Sequence, residues 1–135
     1  MQAVGSAIDL LSTPFHLGSG STVTAQAPWD GTMQWYERYG IANAADGTEG
    51  RLVSMHTFAE SWTSWEMHPV GHEMVICTAG EITLVQEVDG HHEVTTLTAG
   101  QAAVNEPGVW HTADVTAEAT VLFITAGAGT EHRAR

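Results

Sequence analysis

Residues 64–80 read Ser-Trp-Glu-Met-His-Pro-Val-Gly-His-Glu-Met-Val-Ile-Cys-Thr-Ala-Gly, and the predicted fold is organised around this stretch. Glu66 and His68 lie two positions apart in a run rich in strand-forming residues, so both side chains project from one face of a sheet. Residues 69–71 are Pro-Val-Gly, which ends the strand because proline cannot donate to a β-ladder and glycine tolerates a sharp bend. A second strand, 73–77, is predicted to return beside the first.

The predicted hairpin carries groups that bind divalent metal ions. Glu66, His68, His72 and Glu73 lie close to its turn, and His111 lies far along the chain in the sequence Glu-Pro-Gly-Val-Trp-His. Imidazole and carboxylate are common ligands of divalent ions, so the end of this hairpin is a candidate metal site.

Two motifs surround these residues, and through them the chain resembles the cupin superfamily. The first motif of that family runs Gly-x5-His-x-His-x(3 or 4)-Glu-x6-Gly, and it is matched here at His68, Glu73 and Gly80. The second runs Gly-x5-Pro-x-Gly-x2-His-x3-Asn, and it is matched at Gly100, Gly108 and His111.

The chain also departs from both motifs. Glu60 and Glu66 replace the leading glycine and the first histidine of the first motif. Glu106 and Val115 replace the proline and the asparagine of the second motif. Only the replacement at position 66 affects a metal-ligand position.

The resemblance implies a metal ion held by His68, Glu73 and His111, with Glu66 at the position of the family's first histidine. His72 is the alternative to Glu73 if the turn is one residue tighter. Neutral imidazole nitrogens suit Fe, Zn, Cu and Ni, and two of them with a carboxylate resemble the open site of non-haem iron enzymes.

Glu66 shares the parity of His68 and should face the barrel interior, where an unpaired carboxylate is costly. We interpret it as a fourth metal ligand, with a catalytic carboxylate beside a three-ligand site as the alternative. Two carboxylates and two imidazoles would neutralise a divalent ion and favour a hard metal. The expected cofactor is one divalent ion, with Fe(II) as the first choice and Mn, Zn or Ni as alternatives.

Composition excludes several classes of function. The chain has 135 residues, four arginines, no lysine and a formal net charge of -12, so it lacks the basic surface that nucleic acids and anionic membranes require. Missing lysine also excludes Schiff-base chemistry. A single cysteine excludes an internal disulfide, and no signal peptide or membrane-spanning run is recognised, so a cytoplasmic location is expected.

Short strand patterns with frequent turn signals predict an all-β, antiparallel jelly-roll barrel in a single domain. Residues 1–20 are interpreted as a leading segment, 21–126 as the barrel and 127–135 as a disordered tail. Residues 33–42, rich in strand-favouring aromatic side chains, are predicted to form a strand. The other predicted strands are 22–26, 51–58, 81–88, 93–97, 102–105 and 119–126.

Three further residues are candidates for the barrel cavity. Tyr36 and Arg38 are candidate catalytic residues, because an arginine in the barrel mouth could orient an anionic substrate, although a surface position is the alternative. His56, on the strand before the first motif, is predicted to line the cavity or to pack in the core.

The resemblance implies a small metal-dependent enzyme acting on a small organic molecule, most simply by an Fe(II) dioxygenase-type reaction. One alternative is an isomerase, decarboxylase, cyclase or lyase that uses Zn, Mn or Ni as a Lewis acid. The other is a non-catalytic cupin that binds a small ligand or a metal. A homodimer is expected by the same resemblance, and open sheet edges favour such pairing.

Overall fold

One long strand, β5 (Glu73–Val88), connects the two halves of the molecule. A computed structural model gives the structure of residues 5–135. A β-bulge between Cys77 and Ala79 bends β5. The sequence predicted separate strands at 73–77 and 81–88. Because a bulge inserts an extra residue and turns the strand direction, a single strand joins both sheets instead.

The described residues form ten strands and one α-helix, α1 (Met33–Ala42), with short 3₁₀ turns at Ser19–Ser21 and Ala44–Asp46. The other strands are β1 (Phe15–Gly18), β2 (Thr22–Ala25), β3 (Arg51–Phe58), β4 (Ser64–Met67), β6 (His91–Thr98), β7 (Ala102–Asn105), β8 (His111–Asp114), β9 (Ala119–Thr125) and β10 (Glu131–Ala134). The predicted strands 51–58 and 102–105 agree with β3 and β7.

All strand pairs are antiparallel. The first half of β5 pairs with β7 and β9, and the sheet continues through β3 and β1 to β2. The second half pairs with β6 and β8, and that sheet continues through β4 to β10. The predicted all-β jelly-roll architecture is thereby confirmed. The main apolar core comprises Val75, Cys77, Ile82, Leu97, Ala113, Val115, Ala119, Val121 and Phe123.

The strand predicted for residues 33–42 is wrong, because this segment forms helix α1. The Thr32 side chain caps the helix by accepting a hydrogen bond from the backbone N–H of Trp35, which satisfies a donor that the first turn leaves free. Trp35 and Tyr39, four positions apart, stack with ring centroids 5.6 Å apart and planes 4° from parallel. The aromatic residues that suggested a strand therefore form one face of a helix.

The disordered tail predicted for 127–135 also differs from the structure, since β10 pairs with β4. The Arg133 guanidinium lies 5.2 Å from the Trp65 ring centroid and 4.5 Å from that of Trp110, and it forms an ion pair with Glu87. The Arg135 side chain donates to the backbone carbonyls of residues 62 and 113. Cation–π contacts and ion pairs thus hold the last residues against the barrel.

The first residues of the chain belong to the leading segment proposed from the sequence. Residues 1–4 lie outside the described part of the structure, whereas β1 falls inside the segment 1–20. Between residues 5 and 135, no helix is both long and apolar enough to cross a membrane.

Candidate metal centre

Four side chains from three strands converge at one end of the barrel. Glu66 lies in β4, His68 directly follows it, and Glu73 and His111 are the first residues of β5 and β8. Each offers a ligand atom within 4.8 Å of the others. Glu66 and His111 are directly paired across β4 and β8, which explains how two distant sequence segments meet. The structure therefore brings together all four of the first-choice metal ligands.

The two histidines are buried, and each presents a nitrogen without a hydrogen-bond partner. His68 is 4% exposed and His111 is 1% exposed. The Nε2 atoms of both are inaccessible and make no well-formed hydrogen bond, although buried polar atoms are normally hydrogen-bonded. Their nearest neighbours are carboxylate oxygens of Glu66 and Glu73, 3.1 to 3.3 Å away. Two unpartnered imidazole nitrogens at one point are the arrangement that a bound cation would satisfy.

Hydrogen bonds at the other ring nitrogens assign the tautomers that suit metal binding. Nδ1 of His111 lies 3.2 Å from the carbonyl oxygen of Val109, so Nδ1–H is the donor. Nδ1 of His68 lies 2.8 Å from Oγ1 of Thr130, whose hydroxyl donates to the carbonyl of Gly127. Since the threonine proton is already used, His68 donates from Nδ1. In the neutral form, both rings then present the Nε2 lone pair to the centre.

Glu73 is held as a carboxylate by neighbouring donors. The Asn105 amide donates to Oε1 over 3.0 Å, and the Thr125 hydroxyl donates to Oε2 over 2.6 Å. Gln86 donates to the Asn105 oxygen, which fixes the amide with its nitrogen towards Glu73. Burial alone would raise the pKa of Glu73, but the His111 and His68 imidazoles lower it well below its usual range.

Glu66 lies between the buried cluster and the cavity, with 27% of its side chain exposed. Its Oε1 is 3.3 Å from Nε2 of His68, and its Oε2 is 3.5 Å from Nε2 of His132 on β10. One carboxylate oxygen therefore faces the cluster while the other faces a second imidazole at the cavity wall.

The electrostatics of the cluster call for a cation. Burial disfavours a charged His68, but the adjacent carboxylates of Glu66 and Glu73 outweigh this cost and raise the pKa of His68 to about 9. Without a metal ion, the carboxylates therefore retain a proton on this ring at neutral pH. A divalent ion would replace that proton and balance both carboxylates, so the residues present fit a metal.

A cavity of about 830 Å³ opens beside the cluster, and Glu66, His68 and Glu73 line it. Tyr36 and His56 line it as well, which places His56 at the cavity as one of its two predicted positions. Burial, followed by the negative charges of Glu66 and Glu73, raises the pKa of Tyr36 to about 12, so its hydroxyl stays protonated. Burial lowers the pKa of His56.

Two residues proposed from the sequence lie elsewhere. His72 is exposed and takes no part in the cluster, because the alternation along β5 buries its neighbour Glu73 instead. Arg38 is on helix α1, does not line the cavity, and forms an ion pair with Asp30 at 2.6 Å. The barrel-mouth position suggested for Arg38 depended on the strand prediction, and the helix turns this side chain to the surface.

Sequence reasoning missed a second buried histidine network at the cavity. Nδ1 of His16, on β1, lies 2.6 Å from the Tyr39 hydroxyl, and its Nε2 lies 2.6 Å from the Asp46 carboxylate. His16 and Tyr39 line the cavity. Hydrogen bonds from Ser19, then that from His16, lower the pKa of Asp46 to about 2. The network joins β1 to the helical segment over the cavity. No local pattern links these three positions, so only the fold reveals it.

Comparison with known proteins agrees with this geometry. The family model for the cupin domain matches residues 53–127, which is more than half of the chain. The chain belongs to the cupin family. The four residues of the metal cluster all lie inside the matched region of this cupin. No curated protein sequence matches it significantly.

Solved structures show the same fold at low identity. A cupin-2 domain containing protein from Shewanella frigidimarina NCIMB 400 aligns with TM-score 0.48 and 21% identity, over 56% of this chain and 69% of that one. Hydroxypropylphosphonic acid epoxidase from S. wedmorenis aligns with TM-score 0.51 and 15% identity, over 62% of this chain and 45% of that one. Oxalate oxidase in complex with glycolate aligns with TM-score 0.52 and 18% identity, over 60% and 45%. This cupin spans less than half of either enzyme.

Proposed function

We propose that this cupin is a metal-dependent oxidoreductase that acts on a small organic substrate by an Fe(II) dioxygenase-type reaction. The observation that carries the proposal is the convergence of two unpartnered, buried imidazole nitrogens and two carboxylates beside an open cavity. His68, Glu73 and His111 would hold the metal ion, with Glu66 as a fourth ligand.

The donor set favours a hard divalent metal. Carboxylate oxygens suit Fe(II) and Mn(II) better than they suit softer ions, while imidazole is accepted by all the candidates. No thiolate competes, because Cys77 lies in the apolar core. Fe(II) held by these residues would supply activation of O₂. Two neighbours of the same fold are named as an epoxidase and an oxidase, so the fold accommodates oxidative chemistry.

The chain's own side chains would bind the substrate and move protons. Glu66 faces both the cluster and the cavity, so its carboxylate can accept a proton from a substrate hydroxyl. Tyr36 stays protonated at neutral pH and can donate a hydrogen bond to a substrate oxygen.

The proposal is tested by anaerobic reconstitution with Fe(II), Mn(II), Zn(II) and Ni(II). Metal analysis follows, and then an O₂-uptake screen with dicarbonyls, catechols and thiols. We expect one metal ion per chain and substrate-dependent O₂ uptake with Fe(II) alone. If metal stoichiometry is one but no substrate of any class consumes O₂, the oxidative reaction is excluded. If metal is substoichiometric and unchanged in Glu66→Ala, His68→Ala and His111→Ala, the non-catalytic cupin is the correct alternative.

A Lewis-acid isomerase, decarboxylase, cyclase or lyase is the second candidate, and the partly exposed position of Glu66 favours it. A carboxylate beside three buried ligands is placed to move a proton while a metal polarises a carbonyl. Turnover under argon with Zn(II), Mn(II) or Ni(II) would establish this reaction in place of dioxygenation. The Glu66→Gln variant should then lose turnover while it retains the metal.

We also propose that the cupin is a homodimer formed through the outer face of the larger sheet. Directly paired residues share a face, and a row of them across five strands is apolar. Met74 and Val104 in this row are 43% and 51% exposed. Light scattering should give a dimer that Met74→Lys converts to a monomer, and a monomeric wild type would exclude the assembly. The row is Val104, Met74, Ile124, Val53 and Phe15.

A further inference from the structure

Among residues 5–135, the walls of the cavity carry three carboxylates and no arginine, and the protonated ring of His68 in the metal-free protein lies against two of those carboxylates. Glu37, Glu66 and Glu73 line it, and no arginine does. The chain contains no lysine, and its four arginines are all placed elsewhere. Arg38 pairs with Asp30, Arg51 lies by a separate surface depression, Arg133 pairs with Glu87, and Arg135 pairs with Asp114.

Aromatic rings form a continuous line along the cavity towards the metal cluster. Trp29 has its ring centroid 5.1 Å from that of Tyr36 and 5.5 Å from that of His56. Phe58 continues the line, with a centroid 6.2 Å from His56 and 5.6 Å from Trp62. The Trp62 ring in turn lies 6.3 Å from the ring of His111, which belongs to the cluster.

From these walls we infer that the substrate is a flat aromatic molecule that is uncharged or cationic, and that carboxylate and phosphonate substrates are disfavoured. This inference rests on the proposed function only for the location of the reaction, beside the cluster. It adds the substrate class, which the metal ligands do not determine.

An anionic substrate would find no positive charge in this cavity that is not already balanced by Glu66 and Glu73. A divalent ion at the cluster is already balanced by Glu66 and Glu73, and each further anion must be desolvated without a cationic side chain as partner. Glu37 adds to the repulsion, and the formal net charge of -12 lowers the local concentration of anions around the whole protein.

A flat apolar molecule, by contrast, matches the walls. Aromatic rings pack favourably against other rings in edge-to-face or offset geometry, and they attract cations through their negatively charged faces. The volume of about 830 Å³ is within the range of sites that enclose drug-sized molecules, and is far larger than a dicarboxylate needs.

Three probes of the same shape but different charge test the inference: benzoate, benzamide and benzamidinium. Their affinities for the metal-free protein and for the Zn(II)-loaded protein are measured by isothermal titration calorimetry and by quenching of tryptophan fluorescence. In the metal-free protein we expect benzamide and benzamidinium to bind at least about tenfold more tightly than benzoate, because the carboxylate alone is desolvated beside like charges. In the Zn(II)-loaded protein we expect a smaller difference in affinity between benzoate and the other two probes, but benzoate should still not be the tightest ligand.

The tightest binding by benzoate in either form would overturn the inference, as would failure of all three probes to bind at millimolar concentration. Both results are independent of whether the protein binds Fe(II) or consumes O₂, because no turnover is measured. If the protein binds no metal but still binds the three probes in the expected order of affinity, only the proposed function is contradicted.

A matched pair of variants separates the cavity wall from the overall charge. Glu37→Gln removes a carboxylate from the wall, and Glu118→Gln removes an exposed one outside the cavity. We expect benzamidinium to bind about two- to threefold more weakly in Glu37→Gln and with unchanged affinity in Glu118→Gln, since both carboxylates are exposed but only Glu37 lines the cavity. Equal weakening in both variants would overturn the inference, because net charge would then determine the preference.

Discussion

The imidazole rings of His68 and His111 lie 5.2 Å apart between centroids, with their planes inclined at 43°. Each ring is fixed from behind by a hydrogen bond at Nδ1, so neither can turn its Nε2 atom away from the other without losing that bond. The carboxylate of Glu73 lies between them, 3.1 Å from one Nε2 and 3.3 Å from the other. A set of lone pairs fixed around one point is a site prepared for a cation.

Replacing a ligand should abolish this site, whereas replacing a neighbouring histidine should not. We expect His111→Gln to weaken Zn(II) or Fe(II) affinity by more than about 100-fold, since changes behind a ligand already cost tenfold to 100-fold. His72→Gln is the control, because His72 is exposed and outside the cluster. Competition with a chromophoric chelator measures both affinities, and equal losses in the two variants would contradict the assigned ligands.

The hydroxyl of Thr130 should tune the metal through His68. It accepts the hydrogen bond from Nδ1 and donates its own hydrogen bond to the carbonyl of Gly127, which keeps the Nε2 lone pair towards the centre. Thr130→Val keeps the shape but removes the acceptor, so we expect metal affinity to fall by about tenfold to 100-fold. Thr130→Ser should restore most of the loss. A serine variant as weak as the valine variant would show that the methyl group, and not the hydroxyl, matters.

Metal binding and proton binding should compete at His68, so the stabilisation by metal should grow with pH. The pKa of His68 is raised from 6.5 to about 9 in the metal-free fold, so its protonation stabilises that fold fully below pH 6.5. This contribution is lost as pH rises through about 9. The metal-bound form has no such proton to lose, and metal binding should release about one proton at pH 7.5.

Thermal unfolding with and without saturating Zn(II) between pH 6 and 8.5 measures this competition. We expect the metal-induced increase in Tm to become larger across this window, and His68→Gln, which lacks a ligand, to show little metal-induced increase at any pH. Glu73 acts in the opposite direction, because its pKa lies below the usual 4.5 and its contribution is lost only on strong acidification. A metal-induced increase that shrinks from pH 6 to 8.5 would contradict the coupling.

The metal cluster could be predicted from the sequence because its geometry is local. Alternation along a strand places Glu66 and His68 on one face, and a tight turn returns Glu73 beside them. The resemblance to the second cupin motif then supplied His111. What the sequence did not give is the support behind the ligands: Thr130 and Asn105 act through contacts that depend on how distant strands pair.

The two wrong segment predictions have the same physical origin. Trp35 and Tyr39 favour strands on average, but their spacing of four also suits a helix, and tertiary packing decided between the two. The polar composition of 127–135 indicated disorder. The prediction failed because the tryptophans that hold Arg133 lie far away in sequence and only the fold brings them near. Composition alone cannot report a partner that only the fold supplies.

Gly80 lies just after the bulge in β5, and we expect this position to tolerate no side chain. Its φ is +73°, and a Cβ atom there would lie 2.0 Å from the carbonyl oxygen of Glu118, in the backbone leading into β9. Gly100 is a matched control, with φ +88° and nothing within 4 Å of its Cβ position. In Gly100→Ala the conformational cost alone should reduce the free energy of unfolding by about 1–2 kcal/mol.

Gly80→Ala should cost more than this, because the backbone of the neighbouring strand must also move. Urea unfolding followed by tryptophan fluorescence compares the two variants at equal m-value. Since β5 carries Glu73 at its start, the shift should also weaken metal binding in Gly80→Ala but leave it unchanged in Gly100→Ala. Equal losses of stability in the two variants would mean that the contact with Glu118 relaxes freely and that position 80 tolerates a side chain.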